Sequence, residues 1–124
     1  MSGTIALSDA IAVERKRYVM AARKSDTETA WRALERAHIL SQPMLGQHMH
    51  VHWLMLCYAV RLRDIREMLG QIARLALAPI GALAGRVPMG NTGRSNVSAF
   101  APMPIPEDLR PLLAKKHENS SFRR

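Results

Sequence analysis

Three histidines alternate in the stretch Gln47-His48-Met49-His50-Val51-His52, and a Glu35-x-x-His38 pair lies just upstream. Imidazole is the commonest metal ligand and titrates close to neutrality, so grouped histidines in an apolar setting point to metal binding, proton handling or a pH-sensitive core. On a helix the three cannot all serve one site. His48, His52, Met55 and Ala59 share a face at i, i+4, i+7 and i+11, whereas His50 and Cys57 lie on the reverse face, where His50 is available to a partner surface. The inward faces of three successive helices would bring together Glu14, Glu35, His38, His48 and His52. Three imidazoles and a carboxylate suit Zn²⁺, Ni²⁺, Co²⁺ or Fe²⁺, with Glu35 or Glu14 as the oxygen ligand or as the group that orients an imidazole.

Other chemistries find less support. A carboxylate di-iron site needs two E-x-x-H pairs and two further glutamates, and the chain has one pair. Gln47 precedes His48 and no glutamate lies between His48 and His52, so the H-E-x-x-H zinc-protease pattern is absent. Met55 and Cys57 beside the histidines would suit a soft ion such as Cu(I). Methionine at helical spacing is ordinarily a core filler, and Cys57 reads as a small buried side chain. The segment from Gly85 to Asn96, with Arg86, Asn91 and Arg94, reads either as a backbone nest for an anion or as a tight turn capped by its own Asn and Thr side chains. The histidines also admit a purely structural role, satisfied by Glu14, Glu35 and backbone carbonyls.

The elements that must position these groups are helices. The chain has 124 residues, 48% of them hydrophobic and only 5% aromatic, and its apolar side chains are mainly Ala, Leu and Met. That composition favours an all-α fold. Apolar periodicity predicts a first helix from about Ser8 to Lys24, with Glu14 inside its apolar stripe. A cap signature at Ser25-Asp26-Thr27-Glu28 opens a second to about Ser41, with Ala30, Trp31, Leu34, Ala37 and His38 inward. A third runs from Leu45 or Gln47 to about Leu62, and its nearly all-round apolar stretch from Val51 to Val60 marks it as the central helix. Asp64 and Glu67 cap a fourth, running through the apolar positions Met68, Leu69, Ile72, Leu75 and Ala76, which Pro79 is expected to disrupt. The reading is four main helices in two antiparallel hairpins, an irregular Gly/Pro-rich arm over 79–106 and a short last helix after Pro106. Residues 1–114 form one domain, and 115–124 a disordered basic tail.

The formal net charge is +8, but the basic residues are scattered and have no aromatic platform, finger spacing or zipper beside them. This balance supports salt-sensitive attraction to anionic surfaces, not specific nucleic-acid recognition. One cysteine excludes an intramolecular disulfide, the N-terminus lacks the pattern of a signal peptide, and no segment suits a membrane span, so a cytoplasmic location is expected.

Ala30-Trp31-x-x-Leu34-Glu35-x-Ala37-His38, Gln47-His48-x-His50-x-His52-x-x-Met55, Gly70-Gln71, Gly85-Arg86-x-Pro88-x-Gly90-Asn91-Thr92-Gly93 and Pro102-Met103-Pro104-Ile105-Pro106 occur together. In this combination the chain resembles a family of small bacterial proteins classed as a domain of unknown function. The resemblance implies an association with heavy-metal resistance loci and no established activity. The leading expectation is therefore a non-enzymatic protein that senses, buffers or delivers a divalent transition metal. The alternative is a helical adaptor for a protein partner, with the Glu/His cluster as core architecture. A metal-dependent hydrolase or oxidoreductase comes third, because no general base, nucleophile or cofactor fingerprint can be assigned.

Overall fold

The apolar periodicity resolves into four long helices: α1 (Ser2–Arg23), α2 (Thr27–Ser41), α3 (Leu45–Leu62) and α4 (Ile65–Leu83). A short α5 follows at residues 110–114, and no strand occurs among the described residues. The computed structural model describes residues 2–85 and 87–114. Arg86 and the basic tail 115–124 lie outside the described residues. The fold is all-α. None of the helices is long and apolar enough to cross a membrane.

Connections of two or three residues force each helix back beside its predecessor, so α1 packs on α2, α2 on α3 and α3 on α4. Polar caps set the starts of two of them. Asp26 accepts the amide of Thr29 at the start of α2, and Asp64 accepts the amide of Glu67 at the start of α4. Between α1, α2 and α3 the core holds Leu7, Ile11, Leu34, Leu40, Val51 and Met55, all essentially solvent-free. Tyr58 stands edge-on between Tyr18 and Trp31, with ring centroids 5.3 and 5.1 Å away.

Three expectations are corrected. Pro79 sits inside α4, which continues to Leu83, because Ala and Leu dominate residues 75–84 and their helix propensity offsets the missing backbone bond. The helix ends where Gly85 takes a left-handed conformation, φ 69°, and donates its amide to Ala82. The third helix is not buried all round: α2 and α4 flank it, and its remaining side leaves Trp53 54% exposed, with Val60 and Cys57 also exposed. Cys57 is thus a surface thiol and not a core residue.

The largest correction concerns α4, which faces the opposite way from its hydrophobic pattern. Its buried residues are Glu67, Gln71 and Arg74, at i, i+4 and i+7, while Ile65, Leu69, Ile72, Ile80 and Leu83 form an exposed apolar stripe. Periodicity reveals that a helix has two faces, but which one turns inward depends on what waits there. Here it is a set of polar partners from α2, α3 and the arm that follows α4.

That arm, residues 87–106, returns across α2 and α4 without regular structure. Gln42 fastens its start, donating to the Pro88 carbonyl and accepting from the Gly90 amide, both at 2.8 Å. Leu109 and Leu113, around α5, re-enter the core. Arg36 in α2 joins the ends of the molecule, pairing with Asp108 and donating to Glu14 of α1 at 3.0 Å. Glu14 is 3% exposed, and its other partner is the largely exposed Arg17. Arg36→Ala is therefore expected to destabilise the fold by about 3 kcal/mol, because it leaves a buried carboxylate with only the exposed Arg17 as partner and removes the pairing with Asp108. Urea unfolding would read this as a lower midpoint at unchanged slope, and a loss below about 1 kcal/mol would rule out this role for Arg36.

Candidate metal centre

The C-terminal half of α2 lies beside the N-terminal half of α3, which places His38 opposite His48 and His52. All three rings are at most 7% exposed, and their Nε2 atoms converge: His38 to His48 is 2.9 Å, while His38 to His52 and His48 to His52 are each 3.1 Å. A metal bonded to tetrahedral nitrogens at about 2.0–2.1 Å spaces them about 3.3–3.4 Å apart. The triangle is within a few tenths of an ångström of that arrangement. Among the described residues this is the group of His, Cys, Asp and Glu side chains close enough to hold an ion.

The outer nitrogens decide what the inner ones carry. His38 Nδ1 lies 2.6 Å from the Asn91 carbonyl oxygen, which only accepts, so Nδ1 holds the proton. His52 Nδ1 lies 2.8 Å from Gln71 Oε1. Gln71 Nε2 donates to Glu67 Oε1 and to the Gly93 carbonyl, which fixes its amide with the oxygen toward His52, so His52 Nδ1 is protonated too. Both Nε2 atoms therefore present bare lone pairs 3.1 Å apart, with no hydrogen between them. A proton on His48 Nε2 can serve His38 or His52 but cannot relieve that contact. As a closed hydrogen-bond network the triad is one hydrogen short on at least one edge; as a donor set it is complete.

Burial holds the rings neutral. Desolvation, reinforced by the neighbouring imidazoles, pushes His38 well below the usual histidine range, and desolvation followed by His52 lowers His48 to about 4. Desolvation also lowers His52, against the opposing bond to Gln71. Neutral imidazole is the ligating form, so at neutral pH the site needs no deprotonation before it binds.

The arm supports this arrangement through the buried stripe of α4. Glu67, 3% exposed, accepts from Arg94 Nε at 2.8 Å, from Gln71 and from the Ser95 amide. Arg74 donates to the carbonyls of Arg94 and Val97 at 2.9 and 2.7 Å. Asn91 holds the turn closed, donating to the Ser98 and Ala101 carbonyls and accepting from the Gly93 amide. Gly93 has φ 81°, and a Cβ there would lie 2.6 Å from His38 Cδ2, so glycine is required both for backbone conformation and for contact with the ring.

Of the residues singled out in the sequence, His38, His48 and His52 meet, and Glu14 and Glu35 do not join them. Glu14 is held by Arg17 and Arg36, and Glu35 pairs with Arg94 at 3.4 Å, its carboxyl raised by desolvation against the pull of that guanidinium. Arg94 also lies over the Trp31 ring, 3.8 Å from its centroid. Met55 is core, and Cys57 and His50 are exposed away from the triad, His50 beside Ser8, Ile11 and Arg15. Asn91 supplies its carbonyl oxygen to His38. The residues whose part in supporting the site was not foreseen are Gln42, Glu67, Gln71 and Arg74. The signal for Glu67, Gln71 and Arg74 was a polar stripe at helical spacing in an otherwise apolar segment, whereas Gln42, at the C-terminal cap of α2, carried none.

The signature of one family, described as a protein of unknown function (DUF3703), covers residues 6–113. The chain belongs to this family. No curated protein and no solved structure matches it. The DUF3703 match spans α1 to α5, including all three histidines and the arm that positions them.

Two outcomes test this geometry. The metal-free protein should lose stability as pH falls from about 6.5 toward 4, because the unfolded histidines take up protons that the folded rings, including His48 at about 4, resist. A urea-unfolding series flat across that window would contradict it. Gly93→Ala should displace the arm from His38 and cost about 2 kcal/mol or more, read as a lower thermal midpoint. An unchanged midpoint would show that the arm does not depend on that contact.

Proposed function

We propose that this protein binds one divalent transition metal ion through Nε2 of His38, His48 and His52, and serves in sensing, buffering or delivering it. The observation that carries the reading is the pair of fixed tautomers. Asn91 and Gln71 hold the protons of His38 and His52 on the outer nitrogens, which aims two bare lone pairs at one point and leaves His48 to supply the third. An outer hydrogen bond that orients each imidazole is the usual support of a histidine metal ligand. Zn²⁺, Co²⁺, Ni²⁺ and Fe²⁺ all suit three nitrogens with one or more positions left over. A cytoplasmic setting agrees with the exposed free thiol of Cys57.

A second reading, an adaptor for a protein partner, draws on the exposed apolar stripe of α4, which soluble proteins seldom leave open without a use. It accounts for the outer face of α4 and leaves the unshared lone pairs of the triad unexplained, so we place it second.

The test is metal titration of chelator-stripped protein, with the fold followed by circular dichroism. One equivalent of Zn²⁺ or Co²⁺ should bind, and His48→Ala with His52→Ala should weaken it by about 100-fold or more while helicity is retained. Gln71→Leu, which leaves the three imidazoles in place but removes the orienting bond to His52 together with those to Glu67 and Gly93, should weaken it by about 10-fold or more. Uptake that is weak and unchanged in both variants would assign the histidines to core architecture.

A further inference from the structure

The triad borders a cavity of about 70 Å³ whose wall includes all three imidazoles and Arg74. A water molecule needs roughly 10–15 Å³ of such space, so the cavity accepts a ligand larger than one water. Most of the remaining wall is apolar, formed by Leu77, Ala78 and Ala82 of α4 and by Val87, Pro88 and Phe100 of the arm.

Charge selects the kind of ligand. Three neutral imidazoles cancel none of the charge of a divalent ion, and Glu35 of α2 and Glu67 of α4 are both engaged by Arg94. Arg74 adds a second cation to the same wall. It is 9% exposed, its terminal nitrogens bond the carbonyls of Gly70, Arg94 and Val97, and its Nε is buried without an acceptor. An uncompensated metal charge on a wall that also carries the guanidinium of Arg74 calls for an anionic oxygen. The apolar wall calls for a body that is not charged.

We propose that this cavity is a binding site for a short-chain monocarboxylate, whose carboxylate is received by the triad-bound metal beside the positive charge of Arg74 and whose alkyl chain lies against Leu77, Ala78, Ala82 and Phe100. The proposal rests on the metal reading above. It makes the centre one that accepts an exogenous ligand, in contrast to a closed structural site.

The test uses the full chain loaded with Co²⁺, whose visible bands report changes in coordination. Acetate, propionate and butyrate should alter the spectrum saturably, tightening by up to about fourfold per added methylene until the cavity is full. Chloride and nitrate should bind more weakly than propionate. Ala78→Phe, which fills the wall without touching a nitrogen donor, should bind Co²⁺ as the parent does and lose at least about tenfold in propionate affinity; Ala82→Phe serves if the first variant does not fold. A Co²⁺ spectrum unmoved by propionate, inorganic anions binding as tightly as propionate, or a filled variant with unchanged response would each overturn the proposal. Failure to bind Co²⁺ at all would overturn the metal reading and this one with it, and would be evident before any carboxylate is added.

Discussion

Two imidazole lone pairs held 3.1 Å apart with no hydrogen between them repel each other, and the remainder of the molecule is arranged to keep them there. Left free, either ring would take the other tautomer and donate from Nε2. His38 is prevented by the Asn91 carbonyl and His52 by Gln71, whose own amide is fixed by Glu67 and Gly93. Each of these groups is in turn anchored, Asn91 by three bonds within the arm and Glu67 by Arg94 and Ser95. A chain of neutral and charged hydrogen bonds thus transmits the backbone geometry of α4 and the arm to two ring nitrogens. Such networks impose a unique arrangement when every member is satisfied, and here the members left unsatisfied face the centre.

How far the sequence revealed this depended on the range of the interaction. Helix positions followed from local signals, because caps such as Asp26 and Asp64 and the apolar faces of α1 and α2 act within a few residues. The meeting of His38 with His48 and His52 was also legible, since a short connection leaves two helices little choice but to lie side by side. The carboxylates were harder to place. Glu14 and Glu35 do point toward the interior, but Arg36 and Arg94 reach them first, and no spacing rule ranks a guanidinium from elsewhere in the chain against an imidazole.

The fourth helix shows the same limit from the other side. Its leucines and isoleucines outnumber its buried polar residues, so a hydrophobic count turns it the wrong way round. Glu67, Gln71 and Arg74 turn inward because each finds fixed partners there, and an unpaired buried polar group would cost more than an exposed leucine. The exposure of Leu69 at 63% and Leu83 at 89% is the corollary of that preference. The pairing of buried polar groups overrode local amphipathicity.

The distribution of the centre along the chain has a kinetic side. His38 and His52 are separated by 14 positions and His48 and His52 by 4, so the three donors belong to one helical hairpin whose loop closes at little entropic cost. The groups that fix the tautomers come later and from farther away: Asn91 lies 53 positions from His38, and Gln42 holds the arm across 48. Contacts of short range form first in small helical proteins, and distant ones complete them. The nitrogens thus gather on the fast-forming hairpin, and their final orientation waits for the arm to dock. The hairpin also precedes the arm along the chain, so the order of the sequence separates the assembly of the donors from their alignment.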